Sequence, residues 1–229
     1  MVLRSPRPCR VGSTPDPATR ALLLCGAVAG PLFVTTFLVD GAARPDYDPL
    51  RHPVSSLALG PRRRVQIANF FAAGTLYLAG AVGLGRAGER PLRSPLGPAL
   101  IGAVAVGLLG SGAFPTDPIS GYPPGTPDVP ARGTTGGALH DAFGVGVFLG
   151  LPVAALVYAR RFLRIGRPGW AAYSAGTATA MLATFGVAGA GFSQSPSVVR
   201  VAGLAQRTSI TIGFAWLTAL CLRALRRPR

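Results

Sequence analysis

Residues 94–116 read SPLGPALIGAVAVGLLGSGAFPT, which is 23 consecutive residues without a charged side chain. A helix needs about 20 apolar residues to cross the hydrocarbon core of a bilayer, so this stretch is long enough for one crossing. It contains neither the strict alternation of a half-buried strand nor the polar face of a surface helix. The stretch therefore predicts a transmembrane helix.

Similar apolar stretches recur along the chain and predict six membrane spans in an all-α polytopic bundle. The predicted spans lie near 21–39, 65–85, 94–116, 142–159, 170–191 and 203–222. Residues 1–20 are rich in Pro, Ser and Arg and are expected to form a disordered tail. Residues 223–229 are expected to form a basic tail.

The composition excludes an ordinary soluble protein. Hydrophobic residues make up 49% of the chain and charged residues 14%, whereas soluble domains carry about a quarter charged residues. The mean hydropathy is +0.40. The three cysteines, Cys9, Cys25 and Cys221, form no metal-binding or disulfide pattern, so free thiols and no cofactor are expected.

The net charge of +15 comes from 23 arginines without a lysine, a bias typical of a GC-rich bacterial genome. The arginines stand at the ends of the apolar stretches, where they orient spans, so no nucleic-acid partner is expected. Fifteen fall on the side of the two termini and eight on the other side. Both termini are therefore predicted to be cytoplasmic in a cell membrane, although the triplet 62–64 opposes this orientation.

The first outer loop is expected to contain a short interfacial helix. Asp48 is suited to the N-cap, Pro49 to the first helical position and Gly60 to the end of such a helix. Pro53 should kink or break it.

The second outer loop and the last span add polar residues near the same boundary. Asp117 should follow the third span, and the pair His140 and Asp141 should open the fourth. Arg207 falls just inside the outer boundary of the sixth span. An arginine there either reaches the headgroups or pairs with a carboxylate, for which Asp117 and Asp141 are the candidates.

The whole pattern resembles the domain of unknown function 998 family of bacterial integral membrane proteins. The resemblance spans the first to the last predicted helix and rests on four motifs: DPLRHPVS with LALG at 48–60, FPTDP at 114–118, His140-Asp141 and Gln206-Arg207. It implies a six-helix membrane protein with no assigned activity.

The sequence leaves three functional hypotheses open for the outer face. In the first, a zinc ion bound by His52, His140 and Asp117, with Ser55 orienting the reactants, supports a hydrolase acting at the outer leaflet. The candidate polar site of this face consists of His52, Ser55, Asp117, His140, Asp141 and Arg207.

The second hypothesis is binding of a membrane lipid or small anion, with Arg51 and Arg207 as cationic contacts. In the third, the outer loops pack as a structural lid and their polar residues hold it in place. A structural or ligand-binding role is favoured over catalysis because the chain carries no recognisable catalytic motif.

Overall fold

A computed structural model describes residues 15–87 and 95–226. In these ranges six helices are long and apolar enough to cross a membrane, and no strand occurs. This confirms the predicted all-α fold class. The helices are α1 (Pro17–Ala42), α2 (Arg63–Ala87), α3 (Leu96–Ala113), α4 (Thr135–Arg164), α5 (Pro168–Phe192) and α6 (Ala202–Leu225). Two short 3-10 helices, Val54–Ala58 and Val199–Val201, lie in the connections.

The helices form a closed ring in chain order. Each helix packs against the next, and α6 returns to pack against α1. Consecutive helices run in opposite directions, so α1, α3 and α5 all finish at one end of the bundle. We call this the capped end, because the connections 43–62, 114–134 and 193–201 cover it.

We call the opposite end, which holds the described parts of both termini and the turn 165–167, the basic end. Within the described residues it carries eight arginines and a single acidic residue, Asp16. The capped end carries as many arginines but six aspartates. The arginines of the basic end are Arg20, Arg86, Arg160, Arg161, Arg164, Arg167, Arg223 and Arg226.

Aromatic residues of α1, α2 and α6 fill the centre of the bundle. The rings of Phe33 and Phe214 lie 5.4 Å apart, and those of Tyr77 and Phe214 lie 5.0 Å apart, each pair edge to face. All three side chains are fully buried. Edge-to-face contacts of this kind add to the burial of large apolar surface and hold the three helices in register.

Two glycines allow α1 and α2 to approach closely. A Cβ atom added at Gly80 would lie only 2.7 Å from the Cα of Gly26, so only glycine fits at this contact. Gly26 and Gly30 are also four residues apart, a spacing that brings backbones together in membranes.

The first and last helices extend into the segments expected to be tails. Residues 17–20 are helical because the Asp16 carboxylate accepts a hydrogen bond from Thr19 N at 3.0 Å, and Pro17 occupies the first helical position. Residues 223–225 form the last turn of α6. The helices thus include part of each predicted tail, and residues 1–14 and 227–229 of these tails lie outside the described ranges.

The predicted interfacial helix of the first loop is replaced by a shorter element. Residues 48–52 form turns, and a 3-10 helix starts only at Val54, because Pro53 disfavours a helical conformation of the residue before it. Three of its apolar residues, Val54, Leu57 and Ala58, are buried against the bundle. The segment is therefore part of the packed cap.

Candidate functional site

Arg207 is the central cation of the capped end. It lies near the start of α6 with 6% of its surface exposed. Its guanidinium donates to the carbonyls of His52 and Gly203 at 2.9 and 3.0 Å, to the Pro49 carbonyl and to the Tyr47 hydroxyl. The residue therefore ties the first connection, residues 43–62, to α6.

In the described residues Arg207 does not pair with Asp117 or Asp141, which was one of the two alternatives that the sequence left open. Asp117 instead accepts hydrogen bonds from the backbone N–H of Thr134 at 2.8 Å and from its hydroxyl at 2.7 Å. The Thr134 hydroxyl in turn accepts from Gly137 N and caps α4. Asp117 is thus used to start α4, and Asp141 lies exposed about two turns further along that helix.

A second buried cation, Arg44, was not singled out from the sequence. Its Nη2 donates to Asp40 Oδ2 and to the Leu57 carbonyl, both at 2.7 Å, and its Nη1 donates to the Tyr122 hydroxyl at 3.0 Å. Arg62 binds the other oxygen of Asp40 at 3.0 Å. The i, i+4 spacing of an aspartate and an arginine at the end of the first span was the signal available.

His52 is buried in the cap between two tyrosine rings, Tyr47 at 5.4 Å and Tyr122 at 5.2 Å. Its Nδ1 accepts a hydrogen bond from Asp48 N at 2.9 Å, which requires an unprotonated Nδ1. Burial lowers the pKa of the imidazole, and the Asp48 carboxylate only partly opposes it. His52 is therefore a neutral structural acceptor at neutral pH.

Tyr47 joins His52 and Arg207 in one network. Its hydroxyl accepts from Arg207 and donates to the Pro53 carbonyl at 2.8 Å. Burial raises the pKa of Tyr47 to about 12, although the neighbouring Arg207 opposes the shift. The phenol therefore stays protonated and keeps its donor.

His140 lies elsewhere at the capped end, against α2 and α3. It is buried, its Nδ1 hydrogen bonds the Phe114 carbonyl at 3.1 Å, and its ring meets Phe70 at 6.0 Å. The two histidines thus have different neighbours. Across residues 15–87 and 95–226, no three His, Cys, Asp or Glu side chains form a metal-binding group. Zinc binding by His52, His140 and Asp117 stays a prediction.

The remaining predicted contacts lie at the rim of the cap. Arg51 forms an ion pair with Asp128 at 2.6 Å, and 36% and 52% of the two side chains are exposed. Gln206 accepts a hydrogen bond from Val54 N at 2.8 Å. Ser55, the residue after Val54, is half-buried. The ion pair of Arg51 and Asp128 joins the first and second connections, and the bond to Gln206 joins the first connection to α6.

Three buried polar side chains of the capped end have atoms without a hydrogen-bond partner in the described part of the chain: Ser56 Oγ, Gln66 Nε2 and Asn69 Oδ1. Ser56 and Gln66 have no exposed surface, and Asn69 has 4%. Asn69 Nδ2 donates to Gln66 Oε1 at 3.3 Å and to the Phe33 carbonyl at 3.1 Å. We call these three residues the buried polar group.

The buried polar group was also missed from the sequence. Gln66 and Asn69 are two amides three residues apart at the start of an apolar span, so they share one face of α2. That spacing was visible in the sequence. That they face α1 and not the surroundings is a result of the packing.

Comparison with known proteins adds the family. No curated protein and no solved structure matches the chain. The family described as Protein of unknown function (DUF998) matches residues 27–223, which include all six helices in whole or in part. The match confirms the resemblance seen in the loop motifs, and the chain belongs to the DUF998 family of proteins of unknown function.

Proposed function

We propose that this multi-pass membrane protein binds a small uncharged polar molecule, or an uncharged part of a lipid, at the buried polar group. In this proposal the capped end faces the outside of the cell membrane and both termini are cytoplasmic. Fifteen of the 23 arginines of the sequence fall on the side of the two termini, and this bias supports that orientation.

The single observation that carries the proposal is the set of unpartnered atoms in the buried polar group. A buried polar atom without a partner costs about 1–3 kcal/mol, so a bound molecule that supplies the missing hydrogen bonds stabilises the protein. Gln66 and Asn69 are hydrogen bonded to each other, and Ser56 belongs to the 3-10 helix that packs against α2, so the capped end offers an unpartnered hydroxyl, donor and acceptor. A ligand with both hydroxyl and amide or carbonyl groups would satisfy them.

The charges around the group favour a neutral ligand. The terminal nitrogens of the buried cations of the cap, Arg44 and Arg207, are bound to Asp40 or to carbonyl and hydroxyl oxygens, and of their buried nitrogens only Arg44 Nε lacks a partner among the described residues. His52 and Asp117, which the sequence offered for catalysis, also serve as hydrogen-bonding partners of the loops. These contacts support binding over catalysis at this end.

The test is Gln66→Met, which keeps the side-chain length and removes the unpartnered donor. The protein is purified in mild detergent, and small molecules released on denaturation are identified by mass spectrometry. We expect the wild type to release one compound near stoichiometry. The variant should release much less of it and unfold at a lower temperature.

Tyr77→Phe is the matched control, because Tyr77 Oη is also buried without a partner but lies deeper in the core. That variant should keep the bound compound and unfold at an equal or higher temperature, since only an unpartnered hydroxyl is removed. If Gln66→Met is likewise more stable and neither protein releases a compound, the group is empty and the proposal is wrong.

A further inference from the structure

The turn between α4 and α5 forms an open recess at the basic end. Its volume is about 400 Å³, within the roughly 300–1,000 Å³ of ordinary ligand pockets. It is lined by Gly166, Arg167, Pro168, Gly169, Trp170 and Tyr173. The recess lies at the opposite end of the bundle from the cap, so it is independent of the proposed function.

The charged side chains described at the basic end are eight arginines and one aspartate, Asp16. The Asp16 carboxylate is bound by Thr19 at the start of α1. Arg167 lies in the lining itself, and Arg160 and Arg164 lie exposed on the last two turns of α4. Charge complementarity therefore calls for an anionic occupant.

The aromatic side chains of the recess are of the types found at the level of lipid headgroups. Trp170 and Tyr173 form part of its wall, and their rings contact each other at 5.8 Å. The Arg223 guanidinium stacks over Trp170 at 4.9 Å and over Phe162 at 5.1 Å. Tryptophan and tyrosine concentrate at the boundary between hydrocarbon and water, where phospholipid phosphates lie.

The backbone of the recess is also open to an anion. The N-cap residue Arg167 makes no side-chain hydrogen bond to the first turn of α5. Backbone N–H groups of this turn can therefore donate to another acceptor. A Cβ atom at Gly169 would meet nothing within 4 Å, so the space beside these groups is unfilled.

From these observations we propose that the recess binds the headgroup of an anionic phospholipid from the leaflet at the basic end. The phosphate would lie between the Arg167 guanidinium and the first turn of α5. The glycerol and the upper acyl chains would lie against Trp170 and Tyr173. Lipid is favoured over a free anion because the wall contains Trp170 and Tyr173, two residue types that concentrate at the membrane boundary.

The test compares purified protein in nanodiscs of phosphatidylcholine with and without phosphatidylglycerol of identical acyl chains. We expect phosphatidylglycerol to raise the unfolding temperature of the wild type and to remain bound in native mass spectra. Arg167→Gln should weaken its retention about tenfold, the effect of one lost charge-assisted hydrogen bond.

Two further variants separate a specific site from general charge. Gly169→Leu keeps every charge but fills the recess, and it should also abolish the preference for phosphatidylglycerol. Arg63→Gln removes an exposed arginine at the capped end and should leave the preference unchanged. If Arg63→Gln and Arg167→Gln act equally, or if neither lipid is preferred, the proposal is overturned. If millimolar inorganic phosphate reproduces the stabilisation, the site binds free phosphate and the lipid assignment is wrong.

Discussion

At the scale of single residues, Arg207 shows how this chain uses a cation inside its cap. The guanidinium meets carbonyl oxygens of two segments far apart in sequence and the hydroxyl of Tyr47. Carbonyl and hydroxyl oxygens satisfy several of its donors, so no carboxylate is needed to bury the charge. The guanidinium also lies 5.9 Å from the centroid of the Phe37 ring.

Replacing Arg207 by methionine should detach the first connection, residues 43–62, from α6. The change leaves the carbonyls of Pro49 and His52 without their donor, and we expect a loss of about 3 kcal/mol of unfolding free energy. Thermal unfolding in detergent measures the effect. Arg200→Met, an exposed arginine of the same end, is the control and should change stability by no more than about 0.5 kcal/mol. Equal losses in the two variants would contradict the role given to Arg207.

His52 makes the stability of the cap depend on pH. Burial lowers the pKa of its imidazole below the ordinary value of about 6.5, so the unfolded chain binds more protons than the folded chain as the pH falls through that value. Stability should therefore fall as the pH drops from about 7.5 to about 5.5.

The comparison variant is His52→Asn, which keeps an acceptor for Asp48 N but does not titrate in this range. Unfolding temperatures measured at both pH values should differ more in the wild type than in the variant. The same pH dependence in both proteins would assign the effect to other groups.

At the scale of elements, glycine decides how closely two helices pack. The contact between α1 and α2 depends on Gly26 and Gly80, whereas a Cβ atom added at Gly186 in α5 would meet no atom within 4 Å. The many glycines of the third to fifth spans would suggest close helix contacts throughout. Only some of these glycines lie against a neighbouring helix. Gly110 faces the ring of Phe143, and Gly186 faces open space.

Gly80→Ala and Gly186→Ala therefore form a matched pair. The methyl group at position 80 would lie 2.7 Å from the Gly26 backbone, so α1 and α2 must separate and we expect about 1–3 kcal/mol of destabilisation. At position 186 the same change should be neutral or stabilise by up to about 1 kcal/mol, because alanine is the better helix former. Thermal unfolding of the two variants side by side measures both effects. An unchanged stability of the Gly80→Ala protein would show that the two helices can separate without cost.

At the scale of the whole molecule, the ring of six antiparallel helices separates two chemically different ends. The capped end balances much of its arginine with six aspartates, and the buried pair of Asp40 and Arg44 is one example. The basic end has a single aspartate among its described residues. Orientation in a membrane depends on the arginines, and fifteen of the 23 in the full sequence fall on the side of the two termini, which favours the basic end in the cytoplasm.

Cysteine labelling in intact cells tests this orientation. In a variant with Cys9, Cys25 and Cys221 changed to alanine, Ala131→Cys places a thiol in an exposed part of the cap, and Gly169→Cys places one at the basic end. A membrane-impermeant maleimide should label only the first variant in intact cells and both after lysis. Labelling of only the second in intact cells would reverse the proposed topology.

The sequence by itself determined the six spans, their order and the family. A span is set by the hydropathy of about 20 neighbouring residues, so it can be recognised locally. The predicted ends of the helices were less accurate than the spans. Where a helix begins depends on particular local hydrogen bonds, such as those of Asp16 and Thr134.

Only the tertiary structure decided the partners of the polar residues. Arg207 and Asp117 lie in different elements far apart in sequence, and their distance in space depends on how the loops fold over the bundle. The chain places Tyr47 beside Arg207 and Thr134 beside Asp117, and it leaves Gln66 and Asn69 with unpartnered atoms. Such contacts join elements that are distant in sequence. Hydropathy describes only the preference of each segment for lipid or water, so it predicts the spans but not the partners of the polar side chains.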